Sequence, residues 1–116
     1  MTEPADARDL KRVADMLAHA QDALDLIAGL DEAAFRASQV HLRAVLHCLT
    51  IVGEAASKTS KPFQQRHPGI PWAVIIGMRN KLVHDYGGVA VAVVWTTATE
   101  DLPALVGRLR EIVPPG

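Results

Sequence analysis

Apolar residues in the first quarter of the chain recur at alternating steps of three and four. This spacing predicts a helix over residues 6–28 with one apolar face. Its apolar face consists of Leu10, Val13, Leu17, Ala20, Leu24 and Ile27. Gly29 is a suitable stop for this helix, and the Asp31 carboxylate can cap the next one.

The same spacing predicts a second helix over residues 32–58. Its apolar positions are Leu42, Val45, Leu49, Val52 and Ala56. At 1.5 Å per residue this helix would be a rod of about 40 Å. The pattern then breaks between residues 60 and 71, where three prolines and a glycine favour turns: Pro62, Pro68, Gly69 and Pro71.

A third helix is predicted from Pro71, which suits a first helical turn, to residue 84, with Gly87 or Gly88 as its C-terminal cap. The following run "VAVAVVWTT" (89–97) has the β-branched residues of a strand but no second strand to pair with, so we interpret it as a short helix. A last helix should begin near Asp101 with Pro103 in its first turn. It should bury Leu105, Leu109 and Ile112. The chain is therefore predicted to be one all-α domain, a bundle of four long or five shorter helices.

Composition agrees with a helical protein, and the charge balance means that any site for a polyanion must be local. Of the 116 residues, 49% are hydrophobic and only 4% aromatic, and the formal net charge is −1, so no overall basic field would attract polyanions. Residues 1–32 hold eight acids and three bases, whereas residues 57–84 hold five bases and no acid. The second segment is where an anion could bind, although a solvated turn with scattered lysines explains the same charges.

The lone cysteine, Cys48, cannot form an internal disulfide, and we interpret it as a small buried apolar residue. Trp72 and Trp95 are expected to anchor the starts of their helices in the core. The histidines lack a metal-binding spacing, so neither a metal nor a cofactor is predicted. With no signal sequence or apolar span of sufficient length, a cytoplasmic location is expected.

The segment "RNKLVHDY" (79–86) places an arginine, a histidine and a tyrosine near a helix end. At about 100° per residue, Arg79 and Tyr86 lie within about 20° of each other, whereas Arg79 and His84 diverge by about 140°. Asn80 and His84 share a face. One straight helix therefore cannot easily direct Arg79 and His84 at one phosphate, but two antiparallel copies related by a two-fold axis could.

Two interpretations of this segment follow from its chemistry. Guanidinium matches phosphate oxygens and imidazole can transfer a proton near neutral pH, so together they could cleave RNA without a metal. Alternatively, the histidine interacts with the helix dipole, the arginine is an ordinary surface residue and the tyrosine packs.

A family resemblance favours the first interpretation. Three segments resemble HepT-type HEPN toxins in their residues and in their order along the chain. They are "IVGEAASK" (51–58), "HPGIPWAVIIGMRNKLVHDYGGV" (67–89) and "VWTTATEDLPALVGRL" (94–109). The resemblance covers residues 8–112 of what would be a single HEPN domain, 1–116.

The resemblance implies an all-α homodimer that acts as a metal-independent endoribonuclease toxin, with tRNA or mRNA as the usual substrates. Arg79 and His84 from both subunits would be catalytic at the dimer cleft, supported by Asn80. It also implies a partner, an MntA-type nucleotidyltransferase antitoxin that neutralises the toxin by adenylylating Tyr86.

The sequence leaves two alternatives open. Glu54 could pair with a base of the motif or could be a solvent-exposed acid, and the second option is slightly favoured. The whole chain could also be a non-catalytic helical dimer that binds a nucleotidyltransferase or a nucleotide.

Overall fold

The computed structural model describes residues 4–84 and 91–113, without the side chains of residues 4–6, 83 and 84. Its described part is helical, as predicted. The elements in chain order are α1 (Pro4–Ile27), α2 (Glu32–Ala37), α3 (Gln39–Ser57), α4 (Lys61–Arg66), α5 (Trp72–His84), α6 (Val91–Thr96), a π-helical turn (Thr97–Asp101) and α7 (Leu102–Ile112).

Helix α3 lies at the centre of the bundle. It packs against both α1 and α5, and α7 packs against α1. The predicted apolar face of α3 is confirmed, with Val45, Leu49, Val52 and Ala56 fully buried and Cys48 also buried. The α3–α5 contact is the part of the fold that positions the candidate site.

The stop signal of the first helix and the start signal of the next helix are confirmed. Gly29 follows the end of α1 with a φ of 81°, a left-handed conformation that glycine adopts without strain. The Asp31 carboxylate accepts a hydrogen bond from the Ala34 amide at 2.8 Å and so caps α2.

The prediction of one continuous helix over residues 32–58 is wrong, because the helix is interrupted at Ser38. This residue has an extended backbone (φ −115°, ψ 100°), and its amide closes α2 by donating to the Phe35 carbonyl. Its hydroxyl then accepts from the His41 amide at 3.2 Å and begins α3. Phe35 is fully buried, so α2 serves to bring one aromatic ring into the core.

The proline-rich segment contains a short helix that the sequence analysis missed. Pro62 lies in the first turn of α4, where a backbone N–H is not needed, and the Ser60 hydroxyl caps the Phe63 amide. Ser60 is itself held by Asp9 of α1, whose buried carboxylate accepts from the Ser60 amide at 2.8 Å and from its hydroxyl at 2.7 Å.

The C-terminal predictions are largely confirmed. Residues 91–112 are helical throughout, with the π-helical turn joining α6 to α7 and Pro103 in the first turn of α7. Leu105 and Leu109 are buried, and Ile112 is half-buried. Trp72 is buried as expected, while Trp95 is half-buried against Phe35, with ring centroids 5.3 Å apart. The predicted glycine cap at residues 87 and 88 lies outside the described residues.

None of the helices within the described ranges has the length and apolar character that a membrane crossing requires.

Candidate active site

The candidate site lies on the last two turns of α5, where Arg79 faces α3. The two helices approach closely here because Gly53 of α3 has no side chain. A methyl group at this position would overlap Arg79 Cβ and lie 2.6 Å from its Cγ. The glycine therefore leaves room for the aliphatic part of the arginine side chain.

Two acceptors hold the guanidinium of Arg79. Its Nη2 lies 3.3 Å from Glu54 Oε1 of α3, and its Nη1 donates to Asn80 Oδ1 at 2.9 Å. The Arg79 side chain is 28% exposed and that of Glu54 is 39% exposed, so the pair lies at the protein surface with both side chains partly in contact with solvent. The guanidinium is thus fixed in direction yet reachable from outside.

The Nε atom of Arg79 is buried, and no group among the described residues accepts a hydrogen bond from it. Because a guanidinium carries five N–H donors, the Glu54 and Asn80 contacts leave further N–H groups of Nη1 and Nη2 unassigned. These terminal groups could donate to the oxygens of a phosphate, for which the planar fork of arginine is well suited.

The structure resolves the open question about Glu54. A solvent-exposed acid was slightly favoured over a paired one, but Glu54 pairs with Arg79 while its side chain stays partly exposed. A signal for this contact was present in the sequence. Gly53 lies inside a strongly helical segment, where a glycine costs roughly 1 kcal/mol relative to alanine. Such a glycine often marks a close packing contact.

His84 is the last residue of α5, so the helix is continuous from Arg79 to His84 at the level of the backbone. Five residues of α-helix rotate the backbone by about 140°. The positions of Arg79 and His84 on α5 are therefore well separated around its axis, as predicted. The His84 side chain and all of Tyr86 lie outside the described residues.

Two other histidines contact neighbouring oxygens of their own helices or caps. The His41 ring contacts the Ser38 hydroxyl at 2.6 Å, and the His19 ring contacts the Asp15 carbonyl at 2.9 Å. Over residues 4–84 and 91–113, no three His, Cys, Asp or Glu side chains are grouped closely enough to hold a metal ion. Lys81 is exposed on α5, two residues after Arg79.

Comparison with known proteins places these elements in a family. Residues 16–112 match the family described as "Ribonuclease HepT-like". A Methanocaldococcus jannaschii protein named "Putative RNase MJ0125" is 33% identical over 107 residues, covering 91% of this chain and 92% of the relative.

Two further relatives carry similar names. A Caldanaerobacter subterraneus protein, "Putative RNase TTE0752", is 34% identical over 78% of this chain and 80% of its own length. A Thermococcus cleftensis protein, "Probable ribonuclease HepT", is 44% identical over 60% of this chain and 63% of its own length. No solved structure matches the chain significantly. Because the family match covers most of the sequence, including all of α3 and α5, the chain belongs to the HepT-like ribonuclease family.

Proposed function

We propose that this protein is a metal-independent endoribonuclease toxin whose active site is composite, formed at the cleft of a homodimer. The observation that carries the proposal is the fixed guanidinium of Arg79, which is held by Glu54 and Asn80 and remains accessible to a phosphate. Membership of a ribonuclease family, with relatives named as ribonucleases, supports RNA as the substrate class. By family resemblance, tRNA and mRNA are the candidate substrates.

The proposed chemistry needs one cation and one proton carrier. Arg79 would bind the scissile phosphate and stabilise the negative charge that develops on its oxygens during cleavage. His84 would take the proton from the attacking 2′-hydroxyl or donate one to the leaving oxygen. Asn80 would support Arg79 through the hydrogen bond that it accepts from Nη1.

The helix geometry explains why two subunits would be required. Within one α5 helix, the backbone positions of Arg79 and His84 diverge by about 140°. A second α5 helix, running antiparallel across a two-fold axis, would bring the histidine of one subunit towards the arginine of the other. The cleft between the two helices would then hold the RNA strand.

Regulation would act through Tyr86, seven residues after Arg79. An MntA-type nucleotidyltransferase would transfer AMP from ATP to the Tyr86 hydroxyl, with pyrophosphate as the leaving group. The added phosphate and adenosine would compete with RNA for the arginine by charge and by volume. This protein would then be the toxin of a type VII-like toxin–antitoxin pair, acting in the cytoplasm.

Cleavage of RNA by the purified chain tests the catalytic part of this proposal. The wild-type protein should cleave in the presence of EDTA, and Arg79→Ala and His84→Ala should each lose at least about 100-fold in rate, the range typical of lost acid–base or charge stabilisation. Arg36→Ala and His47→Ala are matched controls, because both side chains are exposed on α2 and α3. If the wild type leaves RNA intact while still binding a nucleotidyltransferase or a nucleotide, the protein is a non-catalytic binding module.

Intact-mass measurement tests the regulatory part. Protein co-produced with a nucleotidyltransferase antitoxin should gain the mass of one or more adenylate groups, and Tyr86→Phe should gain none. A mass gain that persists in Tyr86→Phe would refute the assignment of the modified residue.

A further inference from the structure

Glu54 is the acceptor that α3 contributes to the candidate active site. It follows Gly53, the residue that allows α3 and α5 to approach, and its Oε1 lies 3.3 Å from Arg79 Nη2. The close approach and the ion pair thus come from adjacent residues of one helix. The contact joins two different elements, so it depends on the packing of the bundle rather than on local sequence.

The surroundings of Arg79 restrict how its guanidinium can turn. The inner part of the side chain lies against Gly53, and Nε is buried. Rotation about the outer bonds is then opposed by Glu54 on Nη2 and Asn80 on Nη1. Asn80 lies on the same helix as Arg79 and moves with it, whereas Glu54 fixes the guanidinium relative to α3.

We propose that Glu54 is a positioning residue, which orients the Arg79 guanidinium for the scissile phosphate without itself touching RNA. This inference rests on the proposed ribonuclease function. A positioned cation accelerates cleavage because its donors already point to where charge develops, and a displacement of about 1 Å can cost up to 100-fold in rate.

The charge of Glu54 has a second, opposite effect. A carboxylate beside the guanidinium repels the RNA phosphates and lowers the affinity for substrate. Loss of Glu54 should therefore reduce kcat, through lost orientation, and at the same time reduce KM or leave it unchanged. An acid with a purely structural role would lower protein stability without this pattern.

Steady-state cleavage of a short RNA by Glu54→Ala, Glu54→Gln and the wild type tests the proposal. Glu54→Ala should lower kcat by about 10-fold or more, within the range for a misplaced catalytic group, with no rise in KM. Glu54→Gln retains an oxygen acceptor and nearly the same shape. It should therefore lose less kcat than Glu54→Ala while binding RNA at least as tightly as the wild type.

Two controls make the result specific. Glu32→Gln removes the carboxylate of another Glu–Arg pair, at 2.9 Å from Arg36 on α2, and should leave both kinetic constants unchanged. Affinity for an uncleavable 2′-deoxy-substituted oligonucleotide, measured by fluorescence anisotropy, should be equal or higher in Glu54→Gln. This variant retains the shape of the native residue, so the anisotropy measurement remains informative if Glu54→Ala fails to fold.

The outcomes separate this inference from the function on which it rests. If the wild type cleaves RNA, Arg79→Ala does not, and both Glu54 variants retain kcat within about two-fold, then the positioning role is refuted and the ribonuclease function stands. A rise in KM without a loss of kcat would also refute it, because Glu54 would then contribute to binding. If the wild type does not cleave RNA, the proposed function fails and the inference fails with it.

Discussion

Gly53→Ala is expected to destabilise the protein and to displace Arg79. The alanine Cβ would overlap Arg79 Cβ and lie 2.6 Å from Cγ and 3.3 Å from Cα. Ordinary contacts between carbon atoms are about 3.5–4.0 Å. Two of these three atoms, Cα and Cβ, are fixed by the backbone, so a change of rotamer cannot relieve the overlap. Helices α3 and α5 would have to separate by roughly 1 Å.

The expected magnitude is a balance of two effects. Overpacking of this kind costs about 1–3 kcal/mol, and an overlap that no rotamer can relieve belongs at the upper end. Replacing a helical glycine by alanine returns about 1 kcal/mol through helix propensity. The net loss in the free energy of unfolding is therefore about 1–2 kcal/mol, which for a domain of this size lowers Tm by roughly 4–8 °C.

Thermal unfolding at a fixed protein concentration measures this effect. Gly107→Ala is the matched control, because Gly107 lies on the exposed face of α7, where an added methyl group would contact none of the described residues beyond its own stretch of helix. That variant should be stabilised by about 0.5–1 kcal/mol. The RNA cleavage rate should fall only in Gly53→Ala, by about 10- to 100-fold for an arginine displaced by roughly 1 Å.

A Gly53→Ala variant as stable as Gly107→Ala would refute this prediction. Such a result would mean that α3 and α5 do not approach closely at Arg79. The geometry of the Glu54 contact would then also be in doubt.

Three further predictions concern other parts of the fold. Asp9→Ala leaves the Ser60 amide without its acceptor and should lower the free energy of unfolding, measured by urea titration, by about 1–3 kcal/mol. The control Asp15→Ala removes only an exposed pair with a lysine and should change the free energy of unfolding by less than about 1 kcal/mol. Ser38→Ala removes the cap of α3 and should cost about 1 kcal/mol in the same titration; an unchanged midpoint would show that the hydroxyl does not cap. Burial, with the nearby Asp22 carboxylate, raises the pKa of the Cys48 thiol. The contribution of this thiol to the free energy of unfolding is therefore present below its pKa in the unfolded chain and is lost as pH rises through its pKa in the folded protein. At pH 8 the native protein should therefore react with a disulfide reagent far more slowly than the unfolded chain, and equal rates would contradict its burial.

Helical periodicity was enough to predict the fold class and part of the core. The apolar spacing that predicted Val45, Leu49 and Val52 as buried reflects a physical requirement, since one face of each helix must be removed from water. The break at Ser38 was missed because apolar spacing continues across it. Its cap depends on a single hydroxyl, which the periodicity does not detect.

The candidate site was predicted only in part for a related reason. The motif contains Arg79 and Asn80, and their contact is local, so sequence reasoning could anticipate it. The pairing of Glu54 with Arg79 depends instead on how α3 and α5 are aligned, and the spacing within one helix carries no information about its alignment with another. The glycine at residue 53 was the available signal, because its position inside a helix required a packing reason.

The central claim is that an arginine from one subunit acts with a histidine from the other. It is tested most directly by RNA cleavage in a mixed dimer, with Arg79→Ala in one subunit and His84→Ala in its differently tagged partner. Both variant homodimers should be inactive, and the mixed dimer should recover activity, because it retains one arginine and one histidine on opposite sides of the cleft. An inactive mixed dimer beside an active wild type, or a wild-type chain that cleaves RNA as a monomer, would contradict the account.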